Sequence, residues 1–215
     1  MRAWWGGLLA ATILTVAANA QAADKSAKPA MDKSAKNASS PAAVDSLPIL
    51  EKAVARDSTR YDAVYALGMM YLDRDRPAEA AHVLERATQL RPKEIAAWVN
   101  LGAAYDAAGS TGAAQERYRK ALTLSPGDSI ATCRLASSLY AIGKQTDAVK
   151  LLRDLMRDKP RSYCAYFTMG VAFADAGIYR EAIRMWRKVI ELAPDSPEAA
   201  SARESIEVLE KFVGI

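Results

Sequence analysis

The sequence predicts an all-α fold made of tandem helical hairpins, and three observations predict it. Segments that begin at Tyr61, Ile95, Ser129 and Tyr163 align without a gap at a period of 34 residues. Each segment has a small residue at its eighth and twentieth positions and a large one at its twenty-fourth. Each also has a proline at its thirty-second position. Equal spacing over four segments indicates stacked copies of one unit, each of which buries its apolar face against its neighbours.

Within a segment, the pattern indicates two helices that pack closely. Val64, Leu67 and Tyr71 follow three- and four-residue steps on a first helix, and Leu84 and Ala87 share a face of a second. Antiparallel helices approach closely only where side chains are small, so we expect contact at the small positions and a large residue beside it. The recurring residues are Gly68, Gly102, Ala136 and Gly170; Ala80, Ala114, Ala148 and Ala182; Leu84, Tyr118, Leu152 and Trp186; and Pro92, Pro126, Pro160 and Pro194.

The residues between the two helices predict their turns. Gly109, Gly143 and Gly177 fall there, where a left-handed backbone suits glycine. The first segment has Asp75 instead, which tolerates that conformation better than most residues, so we expect the turn to form at some cost in stability. Each thirty-second-position proline lacks an N–H and biases its predecessor away from helix, which ends the second helix.

These residues resemble the tetratricopeptide repeat family, whose pattern is W-x-x-L-G-x-x-Y, then A-x-x-x-F, then P. The resemblance covers about two-thirds of the chain and implies a right-handed α-solenoid of helix-turn-helix repeats. The third repeat departs most, with Leu139 in place of an aromatic residue and Leu155 at a normally small position, so we expect it to pack differently. The second repeat matches most fully, at Trp98, Leu101, Gly102, Tyr105, Ala114, Tyr118, Ala121 and Pro126.

The ends of the array have their own patterns. Ala202, Ile206, Leu209 and Phe212 form one apolar stripe, as on a capping helix that covers the last repeat. Leu47, Leu50 and Val54 form a short amphipathic helix that resembles the second half of a degenerate repeat. The predicted organisation is a signal peptide at 1–22, a linker at 23–45, an N-terminal helix at 46–58, repeats at 61–94, 95–128, 129–162 and 163–196, and a capping helix at 197–213.

The first residues predict export to the periplasm or secretion. Arg2 precedes an uncharged run whose apolar centre, 8–18, is about half the roughly 20 residues that a bilayer span needs. Small residues follow, and cleavage after Ala20 or Ala22 fits the rule for signal peptides. The alternative is an uncleaved anchor that tethers the exported body to a membrane. The Ala-, Lys- and Ser-rich linker has too little apolar surface to offset its ordering entropy and is predicted to be a flexible tether.

Little in the sequence points to catalysis, a metal or a cofactor. With 51% apolar and 25% charged residues, disorder throughout is excluded, and a net charge of +4 identifies no partner. The single histidine, His82, is predicted on an exposed helix surface. Acidic residues lie beside basic ones, as Glu116 with Lys120, which helix-stabilising pairs explain. Export and the lack of interleaved surface aromatics argue against nucleic acid. A basic stripe, which we interpret as solvated surface and alternatively as a site for an anionic partner, comprises Arg86, Arg119, Lys120, Arg153, Arg187 and Lys188.

The resemblance implies that the first helices line the inner curve of the array, where family members bind peptides. There the fifth and ninth positions are mostly apolar and the sixth adds two polar residues, which suits an extended peptide or an amphipathic helix. The alternative is that several of these side chains pack against each other or the tail. The predicted groove comprises Tyr65, Met69, Val99, Asn100, Ala103, Cys133, Arg134, Ser137, Phe167 and Val171.

The two cysteines, Cys133 and Cys164, fall at positions of successive first helices that resemble groove-lining ones. Neighbouring helix axes lie about 8 to 10 Å apart, whereas bridged Cα atoms lie within about 7 Å. We therefore favour two buried thiols. Export would permit a disulfide that staples the groove, and this is the alternative.

Taken together, these patterns predict a non-enzymatic scaffold or adaptor of the cell envelope that binds a segment of a partner protein. The alternative is a self-assembling homo-oligomer, in which the groove of one copy takes the tail or capping helix of another.

Overall fold

The computed structural model describes residues 46–214, in which the chain forms ten helices and no strand. The signal peptide and linker predicted at 1–22 and 23–45 lie outside these residues. None of the described helices is both long and apolar enough to cross a membrane. In chain order the helices are α1 Ser46–Arg56, α2 Tyr61–Asp73, α3 Pro77–Leu90, α4 Ile95–Ala107, α5 Thr111–Leu124, α6 Ser129–Ala141, α7 Gln145–Asp158, α8 Tyr163–Asp175, α9 Tyr179–Leu192 and α10 Pro197–Val213.

The helices stack as an all-α solenoid, as the sequence predicts. Four hairpins, α2–α3, α4–α5, α6–α7 and α8–α9, form repeats 1 to 4, and the second helix of each packs on the first helix of the next. We call each such contact a junction. First helices of neighbouring repeats also touch, whereas second helices in the described part share no comparable contact. The first helices therefore form the inner side of the array.

The close approach within each hairpin occurs where glycine faces a large residue. A Cβ atom added to Gly68 would stand 2.6 Å from Cγ of Leu84, and one on Gly102 would stand 2.7 Å from Cδ1 of Tyr118. Leu84 and Tyr118 are fully buried. The small and large residues that the sequence places at these positions therefore pack against each other within each helix pair.

The turns have the predicted backbone conformations. Asp75 has φ of 55°, and Gly109, Gly143 and Gly177 have φ of 77°, 81° and 74°. Each second helix ends two residues before its proline. The four turns therefore share one left-handed conformation, which only repeat 1 forms without glycine.

The capping helix covers repeat 4 but leaves its last turn exposed. Ala202, Ile206 and Leu209 are buried in the core formed with α8 and α9. Phe212 is 64% exposed, so its predicted place in the buried stripe is wrong. It lies level with Tyr179, the first residue of α9, at 5.3 Å between ring centroids in an edge-on contact, and α9 has no further turn to cover it.

Repeat 3 keeps the hairpin arrangement despite its departures from the family pattern. Ala136 is fully buried, and Leu139 and Leu155 are both 5% exposed. Leu152, also buried, takes the place that an aromatic ring occupies in repeats 2 and 4. A cleft is present where repeat 3 meets repeat 4.

Candidate binding surface

The inner side of the array presents a row of partly exposed side chains from the ninth position of each repeat. Met69, Ala103, Ser137 and Val171 belong to successive first helices and are neither buried nor fully exposed. Met69, Ala103 and Val171 offer apolar surface to a ligand, and Ser137 adds a hydroxyl group between them. We call these residues the ninth-position row.

The fifth-position residues of the predicted groove lie mostly beneath that surface. Val99 and Cys133 are both 6% exposed and Phe167 is 5% exposed. The prediction that they line an open groove is therefore wrong. Neighbouring first helices touch one another, and this contact covers the fifth position. Tyr65, in the first repeat, is only half-buried.

Two sixth-position residues add polar groups beside the row. The Asn100 amide nitrogen donates to the Tyr65 hydroxyl oxygen at 2.5 Å, which links α4 to α2 and leaves the amide oxygen as an acceptor. Burial raises the pKa of Tyr65. Arg134 is partly exposed, but its Nε is buried and has no hydrogen-bond partner. A buried donor without an acceptor is uncommon, because leaving it unpaired costs free energy.

A partly buried carboxylate, that of Asp106, lies near Arg134. Asp106 accepts hydrogen bonds from the Tyr118 hydroxyl at 2.9 Å and from the Ser138 hydroxyl at 3.1 Å. Burial raises the pKa of Asp106, and these two bonds and the Arg134 charge oppose the rise. The repeat pattern of the sequence did not predict this cluster. The one indication was an aspartate at a twelfth position that holds Leu72, Tyr140 and Ala174 in the other repeats.

The two cysteines form a disulfide that joins α6 to α8, with Cα atoms 6.2 Å apart. The preference for two free thiols is therefore wrong, and the alternative holds. The error came from using the spacing of helix axes, because Cα atoms on the facing sides of two helices lie closer than the axes do. The disulfide ties the first helices of repeats 3 and 4 together on the inner side.

The junctions differ in how their eleventh-position residue meets the second helix before it. The Tyr71 hydroxyl donates to Glu51 at 2.9 Å, and the Tyr105 hydroxyl donates to Glu85. In both pairs the glutamate comes 20 residues earlier in the chain. At the junction of repeats 3 and 4 the same two positions hold Phe173 and Arg153, so no such bond can form.

At that junction a cleft of about 680 Å³ opens between α7 and α8. Its walls are mostly apolar, and basic side chains from α7 stand at its rim. Neither Lys150 nor Arg153 has an ion-pair partner in the described structure, whereas Arg157 pairs with Asp154 at 2.8 Å. We call this opening the α7–α8 cleft, and its lining includes Val149, Lys150, Arg153, Phe173, Ala176 and Ile178.

The outer surface shows mostly local pairing. His82 is exposed, as predicted. Within the basic stripe, Arg187 pairs with Glu210 at 2.7 Å and Lys188 with Glu191 at 2.6 Å. These contacts favour the interpretation of the stripe as solvated helix surface. Within residues 46–214, no three side chains of metal-binding type come together.

The fold and the inner surface define a helical-repeat protein of the class that serves as protein–protein interaction scaffolds. Two family models match the chain, one described as "Tetratrico peptide repeat" over residues 95–201 and one as "Tetratricopeptide repeat" over residues 61–104. The chain belongs to the tetratricopeptide repeat family. Proteins of this family are generally non-enzymatic.

Similar solved structures agree on the fold. MamA has a TM-score of 0.56 at 22% identity, over 73% of this chain and 89% of MamA. YrrB, described as a tetratricopeptide repeat protein with an unusual peptide-binding site, has a TM-score of 0.51 at 23% identity, over 74% and 81% of the two chains. At these identities the likeness concerns the fold alone.

Curated relatives match parts of the chain. The cytochrome c-type biogenesis protein CycH of Pseudomonas aeruginosa is 28% identical over 122 residues, 55% of this chain and 30% of CycH. The small glutamine-rich tetratricopeptide repeat-containing protein 2 of Mycosarcoma maydis is 29% identical over 85 residues, 40% of this chain and 24% of that protein. The match thus spans less than a third of the length of these relatives.

Proposed function

We propose that this protein is an exported, non-enzymatic adaptor that binds a segment of a partner protein along the inner side of α2, α4, α6 and α8. The observation that carries the proposal is the ninth-position row, beside which the side chain of Arg134 is partly exposed. Apolar side chains of the row supply contact area, and a guanidinium group donates to an acceptor such as a peptide carbonyl or a carboxylate.

The polar groups beside the row suit an extended segment. The amide oxygen of Asn100 can accept from a peptide N–H, while Arg134 donates to a carbonyl or carboxylate. The two residues are one repeat apart, so they would bind separate points of the same segment. The disulfide between α6 and α8 holds this surface in one shape, which lowers the ordering cost of binding.

Two further observations support export. A disulfide between Cys133 and Cys164 persists in an oxidising compartment and is reduced in most cytosols. The sequence of residues 1–22 has the pattern of a signal peptide. The similarity to a cytochrome c-type biogenesis protein supports a role in the assembly of other proteins in the cell envelope.

The test of the binding surface is affinity capture from the envelope of the source organism with the exported protein as bait. A variant with Ala103→Glu and Val171→Glu places two charges on the ninth-position row. A matched control with Ala78→Glu and Thr123→Glu places the same charges on exposed second-helix positions. We expect the control to retain the partner and the row variant to lose it. Retention of every partner by the row variant would contradict the assignment of the surface.

Export is tested separately, by mass spectrometry of the protein isolated from the source organism. Cleavage after Ala20 or Ala22 gives a new N-terminus, and a full-length chain in the membrane fraction indicates the tethered form. Recovery of uncleaved protein from the cytoplasm would contradict export.

A further inference from the structure

The α7–α8 cleft is an open space at the junction of repeats 3 and 4. The Tyr–Glu hydrogen bond of the α1–α2 and α3–α4 junctions is absent here, where Phe173 and Arg153 stand, as it is between α5 and α6, where Leu139 and Arg119 stand. At the α7–α8 junction a cleft is also present, and the basic rim formed by Lys150 and Arg153 has no ion-pair partner among the described residues. At one end of the cleft, Ile178 is 47% exposed. An occupant of this cleft must bring apolar side chains and an acidic group.

The capping helix presents such a group of side chains. Glu204, Val208 and Phe212 follow one another at four-residue steps and therefore share one face of α10. Val208 is 47% exposed and Phe212 is 64% exposed. Glu204 is exposed and has no partner in the described structure. The carboxylate and the phenyl ring lie eight residues apart, which is about 12 Å along a helix.

The cleft has a basic group and an apolar end at the same separation as the glutamate and the phenylalanine of α10. On α7, Arg153 lies eight residues beyond Gln145, again about 12 Å. Since α7 runs antiparallel to α8, the Gln145 end adjoins the apolar residues Ala176 and Ile178, which follow α8. An α10 helix laid along α7 can thus place its glutamate at the basic rim and its phenylalanine at the apolar end.

The exposed helix face and the cleft lie on the same edge of the molecule. Ile178 lines the cleft, and the next residue, Tyr179, contacts Phe212 with ring centroids 5.3 Å apart. A surface that carries both a projection and a matching cleft on one edge can pair with the same surface of a second copy around a two-fold axis. We propose that the protein forms a two-fold dimer in which Phe212 of each copy enters the α7–α8 cleft of the other.

The charge of the chain favours a second copy over the linker as the occupant. Residues 23–45 contain four lysines, three aspartates and no aromatic residue. A segment with net positive charge gains nothing from the rim of Lys150 and Arg153 and has no ring to fill the cleft. The dimer would display two inner surfaces at once, which raises the avidity for a partner that carries two binding segments.

The test is the molar mass of the exported protein, measured by sedimentation velocity over a wide concentration series. We expect a monomer–dimer equilibrium. Phe212→Glu should raise the dissociation constant more than tenfold, because an anchor residue in an interface carries more than the roughly 1.4 kcal/mol that a tenfold change represents. The matched control is Ile49→Glu on α1, where the native side chain is 58% exposed at the other end of the array. It should leave the equilibrium unchanged.

A charge exchange tests the register. Arg153→Glu and Glu204→Arg should each weaken the dimer, and the protein with both substitutions should recover it. Circular dichroism melts check that every variant is folded. A monomer at all concentrations, growth beyond the dimer, or a dimer that survives Phe212→Glu would overturn the proposal. So would failure of the double variant to recover. Capture of partners on the ninth-position row is tested separately with the Ala103→Glu, Val171→Glu variant, so failure of the dimer and failure of the proposed binding surface are distinguishable.

Discussion

Trp186 lies across the backbone of Gly170, so closely that a Cβ atom on the glycine would stand 2.5 Å from Cδ1 of the indole ring. The indole nitrogen donates to the carbonyl oxygen of Phe167 at 3.3 Å, and the ring is fully buried. Because the ring is hydrogen-bonded and fully buried, it cannot move away to make room for a methyl group. The glycine is therefore required by packing.

Gly170→Ala should destabilise the protein. A methyl group at this contact forces the helices apart at a cost of about 1–3 kcal/mol, which outweighs the roughly 1 kcal/mol by which alanine favours a helix over glycine. Gly112→Ala is the matched control, because Gly112 is also helical and nothing lies within 4 Å of its Cβ position. It should stabilise by about 0.5–1 kcal/mol. Urea unfolding measures both, and a change of the same sign in the two variants would contradict the packing explanation.

Asp75→Gly should stabilise repeat 1. Asp75 has φ of 55°, a conformation that costs L-residues about 1–2 kcal/mol, whereas the extra freedom of glycine in the unfolded chain offsets about 0.4–1 kcal/mol. The net gain should be about 0.8 kcal/mol by the midpoints of these two ranges. The reverse change at an equivalent turn, Gly143→Ala, should destabilise. Thermal unfolding compares the two, and a loss of stability in Asp75→Gly would mean that its side chain supports the turn.

The disulfide should account for a large part of the stability of repeats 3 and 4. Cys133 and Cys164 are 31 residues apart, and closing a loop of that length stabilises by about 3.7 kcal/mol in the chain-entropy account. Reduction should lower the melting temperature of the wild type and leave that of a Cys133→Ala, Cys164→Ala variant unchanged. A thiol assay of denatured, non-reduced protein should find no free thiol. Two free thiols per chain would contradict the pairing.

The repeat pattern predicted what depends on spacing and size. The helices, the turns, and the match of Gly102 with Tyr118 are consequences of one residue type recurring at one position. The surface was harder to predict, because exposure depends on how neighbouring repeats stack. Val99 and Phe167 occupy positions that resemble groove-lining ones, but contact between first helices buries them. Charges placed at either residue would test folding rather than binding.

Other features arise from single departures within the repeat, which a periodic pattern does not interpret. The α7–α8 cleft is lined by Phe173 and Arg153, where the first two junctions hold tyrosine and glutamate. Asp106 appears as an ordinary polar residue until the structure brings Tyr118 and Ser138 to its two oxygens. Such pairs are separated by a dozen to some thirty residues, and only the packing of helices within a repeat or between neighbouring repeats joins them.

Asp106 should make the protein less stable as pH rises through the range in which its carboxyl ionises. Burial raises its pKa above the ordinary value of 3.8, so the folded state binds the proton more tightly than the unfolded state does. Stability contributed by protonation is present below the unfolded pKa and is lost as pH rises through the folded pKa. Asp106→Asn lacks this loss. Its free energy of unfolding, relative to the wild type, should increase with pH and then level off.

The pKa itself can be read from carbon chemical shifts of the aspartate carboxyls. Asp57 provides an internal control, because hydrogen bonds from Thr59 lower its pKa, and its carboxyl should titrate below that of Asp106. The hydrogen bonds that the substituted amide fails to accept add an offset that does not vary with pH, so only the slope is diagnostic. If Asp106 titrates below 3.8, the Arg134 charge and the two hydroxyl bonds outweigh its burial, and the stability difference should then fall as pH rises.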